Sequence, residues 1–156
     1  MKGNAKVIEI LNDVLCAELT AVNQYFVHAM MCANWRYKTL AEHGRHESTD
    51  EMKHAQSLIE RILYLEGIPN MQKYLKIKVG PTVPEQHAFD LDVERAAVAR
   101  LNTGLEICRQ KGDNGTRILL ESILKEEEEH IDWLEAQLQQ IADVRLPNYL
   151  ALQAEG

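Results

Sequence analysis

Six side chains stand out by type and spacing: Glu18, Glu51, His54, Glu94, Glu127 and His130. Glu18 and Glu51 are 33 residues apart, and so are Glu94 and Glu127. In each pair the second glutamate is followed three positions later by a histidine, giving Glu51-x-x-His54 and Glu127-x-x-His130. The pattern therefore occurs twice, offset by 76 residues. On a helix, a carboxylate and an imidazole at i and i+3 lie about one turn apart on one side and can converge on one metal region. A single Glu-x-x-His is commonly a core pair or a surface pattern. Two copies, each with an upstream glutamate at equal separation, point to metal.

The glutamates also sit at the centres of apolar stripes. At about 100° per residue, Glu18 shares a helix face with Leu11, Val14, Leu15, Val22 and Tyr25. Glu51 and His54 share one with Leu58, Ile62 and Leu65, and Glu94 with Val98, Leu101 and Leu105. Glu127 and His130 fall among Leu120, Ile123, Leu124, Ile131, Leu134 and Leu138. Four carboxylates in an apolar interior repel one another and lose hydration. They must be protonated, paired with bases or bound to metal, and the stripes offer no lysine or arginine nearby. Four glutamates balance two divalent ions, so a two-metal site would be neutral. Mixed oxygen and imidazole ligands suit iron or manganese and fit a structural zinc poorly.

Four long periodic segments must position these groups, near residues 4–34, 39–66, 83–111 and 114–143. Gly67-Ile68-Pro69 reads as a helix stop. Thr82-x-x-Glu85 with Pro84 reads as a capping box opening the third helix. Gly112-Asp113-Asn114-Gly115 separates the last two helices, and the tail from Asn148 to Gln153 suggests a fifth. Short first and third connections make antiparallel hairpins. The middle connection, residues 67–82, can span up to about 53 Å extended. A helix of this length runs roughly 42 Å. The connection can therefore cross the whole bundle and leave helices two and three parallel. The expected fold is all-α, a four-helix bundle with a long crossover and a short C-terminal helix, in one domain over residues 1–156.

Bulk properties narrow the function. The 156 residues are 46% hydrophobic and 26% charged, which suits one soluble domain with a sizeable core. The net charge of −7 comes without any basic block, which argues against nucleic acid as a partner. Cys16, Cys32 and Cys108 form no C-x-x-C pair, which argues against a disulfide framework, a thiolate zinc site or covalent haem attachment. They read as small buried hydrophobes. The Met-Lys-Gly-Asn start does not read as a signal peptide, and no apolar run spans a bilayer, so a cytoplasmic location and no membrane partner are expected.

At the six ligand positions the chain resembles the bacterioferritin family over nearly its whole length. Supporting stretches are Asn23-Gln24-Tyr25-Phe26, Asp50-Glu51-Met52-Lys53-His54-Ala55, Ile59-Glu60-Arg61-Ile62-Leu63, Leu65-Glu66-Gly67, His130-Ile131-Asp132-Trp133-Leu134-Glu135 and Asn148-Tyr149-Leu150. The resemblance implies a ferritin-like bundle and a hollow homo-oligomeric shell of 24 subunits built from two-fold dimers, storing ferric mineral. It implies ferroxidase activity, with Fe(II) oxidised by O2 or H2O2 at a di-iron centre. The six residues would then be both metal ligands and catalytic residues: Glu18 and Glu94 terminal, Glu51 and Glu127 bridging, His54 and His130 one nitrogen each. It further implies that Met52 from two subunits clamps a b-type haem (heme b), with Leu19, Asn23, Phe26 and Ile59 near the pocket, and that a ferredoxin-like partner supplies electrons for iron release. A mixed shell with a second subunit type is a variant of this expectation.

Other residues carry alternatives. Tyr25 faces the site, either to support electron transfer or hydrogen-bond a ligand, or as a core tyrosine with a satisfied hydroxyl. His46 and Asp50 are either an inner-surface iron site, as in some relatives, or a solvated i,i+4 pair. Glu126, Glu128 and Glu129 read as a solvated face, and His28, His43 and His87 carry no assignment. Arg45 stands where many relatives have an aromatic residue. Rubrerythrin-like enzymes add a C-x-x-C module that this chain lacks, and oxygenases are generally longer. A purely structural bundle would have to explain four buried glutamates without counter-charges.

Overall fold

The computed structural model describes residues 1–154. It contains α1 (Ala5–Asn34), α2 (Lys38–Tyr64), α3 (Val83–Gln110), α4 (Asn114–Val144) and α5 (Leu146–Gln153), with no strand among the described residues. The expected helix boundaries hold within two residues. None of these helices is long and apolar enough to cross a membrane.

Side-chain chemistry sets the ends. The Asn4 side chain accepts from Lys6 N–H at 2.9 Å and opens α1. Thr82 Oγ1 accepts from Glu85 N–H at 3.4 Å and donates to the Glu85 carboxylate at 3.0 Å, a variant of the expected capping box. Three helices close in the same Schellman arrangement, with Arg36, Glu66 and Gly112 at positive φ. At the end of α2 the left-handed residue is Glu66 (φ 63°), just before the expected stop at Gly67. Gly67 serves close packing instead: a Cβ there would lie 2.8 Å from Ile8 Cγ2. Pro147 sits in the first turn of α5, where its missing N–H costs nothing, so α5 begins before Asn148.

Pairing gives the topology. Gly3 N–H donates to Leu65 O, and Ser48 Oγ donates to Val22 O, so α1 and α2 are antiparallel. Contacts of Arg95 with Glu135 and of Gly104 with Leu120 make α3 and α4 antiparallel. Helix α1 packs beside α3, placing Tyr25 against Glu94 and Ile10 against Gly104. Helices α2 and α3 are therefore parallel, as the crossover length allows.

The crossover has no strand partner, so its backbone donors turn to α1. Thr20 Oγ1, Gln24 Oε1 and His28 Nε2 accept the N–H groups of Leu75, Lys78 and Gly80 at 2.9, 3.0 and 2.9 Å. These acceptors are four residues apart and form one row along α1. The lower core holds Leu11, Leu15, Leu58, Ile62, Leu101, Leu120 and Ile123, all at most 2% exposed. Each contributes roughly 1.5–3 kcal/mol through burial. A second cluster at the other end packs Cys32, Leu40, Ala41 and Val83 around Tyr149 of α5. All three cysteines are free and buried, as expected.

Candidate metal centre

Between the two apolar clusters the bundle interior turns polar. Glu18 of α1, Glu51 and His54 of α2, Glu94 of α3, and Glu127 and His130 of α4 converge there. The four glutamates are at most 2% exposed and His54 is buried, while the His130 side chain is 10% exposed. They form two quartets whose ligand atoms lie within 4.8 Å of one another: Glu18, Glu51, His54 and Glu127; and Glu51, Glu94, Glu127 and His130. Glu51 and Glu127 belong to both.

Atom-level geometry shows how they are shared. His54 Nδ1 lies 3.4 Å from Glu51 Oε2 and 3.1 Å from Glu127 Oε1. His130 Nδ1 lies 3.1 Å from Glu51 Oε1 and 3.7 Å from Glu127 Oε2. Each shared carboxylate thus turns one oxygen to each histidine. Glu18 Oε2 approaches only the His54 side, at 3.5 Å, and Glu94 Oε1 the His130 side, at 3.4 Å.

Electrostatics show how the chain's own groups share charge at this layer. Burial, reinforced by Glu127 and only partly offset by His130, holds the Glu94 carboxyl well above the usual range. Burial alone would lower the His54 pKa, but Glu127 and Glu51 outweigh it and push it up to about 11. His130 is raised further, against its burial, by Glu127, Glu47, Glu51 and Glu94. Among the described residues, the buried side-chain polar atoms without a hydrogen-bond partner are Glu18 Oε2, both Glu51 oxygens, Glu94 Oε2, Glu127 Oε1, His54 Nδ1 and Glu47 Oε2. Orphaned buried polar atoms are costly. Here they concentrate in one cluster, so the donor set fits two divalent ions.

Three features escaped the sequence reading. Glu126 is half exposed, yet one of its oxygens contacts His54 Nε2, so it is not purely part of a solvated face. Glu47 Oε2 lies against His130 Nε2 from α2 as an ion-pair contact without hydrogen-bond geometry, and its other oxygen lies 3.0 Å from His43 Nε2. Burial raises the Glu47 pKa, but His130 and His43 bring it down to about 2. Glu47, Asp50 and His130 form a third group with ligand atoms within 4.8 Å. A helical period links His43, Glu47, Glu51 and His54 along α2, and that row was a usable signal.

His46 Nε2 lies 3.3 Å from Asp50 Oδ2, with His46 70% exposed, so the pair expected from the spacing forms. Tyr25 is buried and donates its hydroxyl to Glu94 Oε1. His28, His43 and His87, unassigned from sequence, line one cavity of about 40 Å³ that also touches Glu47, Glu94, His130 and Trp133. Met52 is 49% exposed on the outer side of α2, near in exposure to Phe26 and Met30 of α1. Leu19 is buried within the chain.

A four-helix bundle with a crossover and an internal set of four glutamates and two histidines is the architecture of ferritin-like carboxylate proteins. The family model described as Ferritin-like domain matches residues 8–144. Among individual proteins, the chain is 48% identical to a bacterioferritin of Mycobacterium leprae over 138 residues, covering 88% of this chain and 87% of that protein. It is 47% identical to a bacterioferritin of Mycobacterium tuberculosis, covering 89% and 87%. It is 44% identical to a bacterioferritin of Brucella melitensis over 154 residues, covering 99% and 96%. The chain belongs to the bacterioferritin family. That membership, with the buried carboxylate and histidine cluster, supports a role in iron storage.

Proposed function

We propose that this chain is a ferroxidase and iron-storage subunit. Glu18, Glu51, His54, Glu94, Glu127 and His130 bind two Fe(II) ions as substrate. The observation that carries this reading is the division of Glu51 and Glu127, one oxygen to each histidine. That is the geometry of two carboxylates shared by two ions, with Glu18 and Glu94 as one terminal carboxylate each.

The protein residues perform definable tasks. The four glutamates neutralise two divalent ions in a site that water cannot screen. His54 and His130 give up their Nδ1 protons on metal binding, while Glu126 accepts from His54 Nε2 and Glu47 pairs with His130 Nε2, fixing the rings. Tyr25 restrains Glu94 through its hydroxyl. When bound, the two ions supply one electron each to O2 or H2O2 and leave as Fe(III) for storage.

The same reading includes a cytoplasmic shell of 24 copies built from two-fold dimers, either of this chain alone or mixed with a second subunit type. The exposed Met52, Phe26 and Met30 on the α1–α2 hairpin support an apolar contact between two copies. Met52 would then supply a thioether to each side of a b-type haem, whose redox chemistry would carry electrons from a ferredoxin-like reductant for iron release.

The test is size-exclusion with light scattering and absorbance detection after adding Fe(II) in air. A particle of about 24 subunits with a broad ferric absorbance and a sharp Soret band is the expected result. A shell without a Soret band would remove Met52 as a haem ligand. A monomer or dimer that takes up two irons per chain and stops would overturn storage and favour a di-iron redox enzyme.

A further inference from the structure

The two histidines of the metal centre are held by similar outer contacts, but one contact is braced and the other is not. His54 of α2 meets Glu126 of α4 through Nε2, and His130 of α4 meets Glu47 of α2 through Nε2. A carboxylate on Nε2 selects the tautomer whose Nδ1 lone pair faces the metal and makes that nitrogen more basic. Glu126 is 51% exposed, so its side chain can trade this contact for water. Glu47 is only 14% exposed, and its second oxygen lies against His43.

His43 is itself immobilised. Its ring stacks on Trp133 with centroids 3.5 Å apart and planes within 13°. Trp133 follows His130 by three positions on α4, so the stack ties α2 to the helix that carries the ligand. Trp133 is in turn edge-on to His87, at 5.6 Å and 86°, and His87 Nε2 lies 3.0 Å from the Tyr149 hydroxyl. Beside His43, Gly44 brings α2 close to α1: a Cβ there would lie 3.0 Å from Ala29 Cβ. A larger residue at 44 would push the His43 backbone away.

We propose that His43 is a positioning residue for the His130 half of the centre, locking Glu47 so that His130 Nδ1 stays directed at Glu51, Glu94 and Glu127. A carboxylate offers several acceptor directions, and a buried one with a single partner can rotate about its own bonds. The Nε2–H of a ring fixed by stacking removes that freedom. Among the described residues the His54 half has no corresponding brace on Glu126, so the two metal positions are inequivalent, with the His130 position the more rigid. This inference rests on reading the cluster as a two-metal site, and His43 touches neither ion.

The test is an anaerobic Co(II) titration of the assembled protein, followed by visible absorbance, on wild type, His43→Leu, His43→Gln and Glu47→Gln. Wild type should bind two Co(II) per chain. His43→Leu should keep one and bind the other about 10- to 100-fold more weakly. His43→Gln, which retains an N–H donor, should recover most of that loss. Glu47→Gln, nearly isosteric, should weaken the same ion even if His43→Leu fails to fold. Isotherms and spectra identical to wild type in Glu47→Gln, or in a folded His43→Leu, would overturn the inference while leaving the two-metal site standing. A wild type that binds no Co(II) would overturn the two-metal reading, and the inference with it.

Discussion

The hydroxyl of Tyr25 on α1 donates to Oε1 of Glu94 on α3, joining the two helical hairpins inside the polar layer. Burial, followed by the nearby Glu94, Asp90 and Glu127, keeps that hydroxyl protonated far above its ordinary range. It therefore acts as a permanent donor. Tyr25→Phe should lower the stability of the metal-free protein by about 1 kcal/mol, the worth of one buried hydrogen bond. Urea unfolding of the two proteins measures this directly. An unchanged midpoint would show that Glu94 finds another donor.

Shared and terminal glutamates should separate in metal stoichiometry. Glu127→Gln removes an oxygen charge from both quartets and should abolish tight uptake of both ions. Glu18→Gln touches only the His54 quartet and should leave about one ion per chain. Co(II) counting on dialysed protein checks the stoichiometry. Equal losses in the two variants would contradict the sharing.

Metal uptake should release protons. In the metal-free chain the His54 pKa is up at about 11, so the ring is charged at neutral pH. The folded chain binds this proton more tightly than the unfolded chain. The resulting stabilisation is fully present below about pH 6.5 and is lost as pH rises through about 11. A metal at Nδ1 must expel the proton, so affinity should rise with pH between about pH 6 and pH 8, by up to tenfold per unit for each proton released. Titrations in buffers of different ionisation enthalpy would show the released protons. A pH-independent affinity would exclude histidine ligation.

His87 predicts the opposite trend. Burial, with His43 and His28 nearby, brings its pKa down to about 4. Between about 4 and 6.5 the unfolded chain therefore binds more protons than the folded one. Stability should be complete above that window and fall as pH drops through it, by up to about 3 kcal/mol. His87→Gln should flatten this part of the curve, as measured by urea midpoints on metal-free protein.

Backbone positions give a further contrast. Gly80 has no room for a side chain, since a Cβ would lie 2.5 Å from Gln86 N. Gly112 has open space but a φ of +68°. Gly112→Ala should cost about 1 kcal/mol from backbone strain alone. Gly80→Ala should cost more, because the obstruction is backbone. Arg36→Gly, relieving a φ of 69°, should raise stability by up to about 1 kcal/mol. Thermal melts of the three variants order these effects.

The six-residue cluster was legible because helix periodicity and two equal spacings overdetermine it. Glu18 and Glu94 needed only the stripe they sit on, and the Glu-x-x-His pairs needed only i+3 geometry. Helix directions followed from connection lengths. Glu126 was misread because its own helix points it outward, and only the neighbouring α2 shows that His54 Nε2 lies within reach. Glu47 and His43 lie on the ligand row of α2, but their meaning depends on His130 and Trp133 across the bundle. Likewise the row Thr20, Gln24 and His28 looks like scattered polarity until the crossover lies along it.

Each quartet draws on both hairpins. The His54 quartet takes Glu127 from the α3–α4 hairpin, and the His130 quartet takes Glu51 from the α1–α2 hairpin. Neither hairpin alone can therefore present a full set of ligands. Tight binding of an ion would require the seam between the two halves to be in register, since each quartet is completed across it. On the proposed two-metal reading, metal affinity would therefore report whether the two halves of the molecule have closed in register.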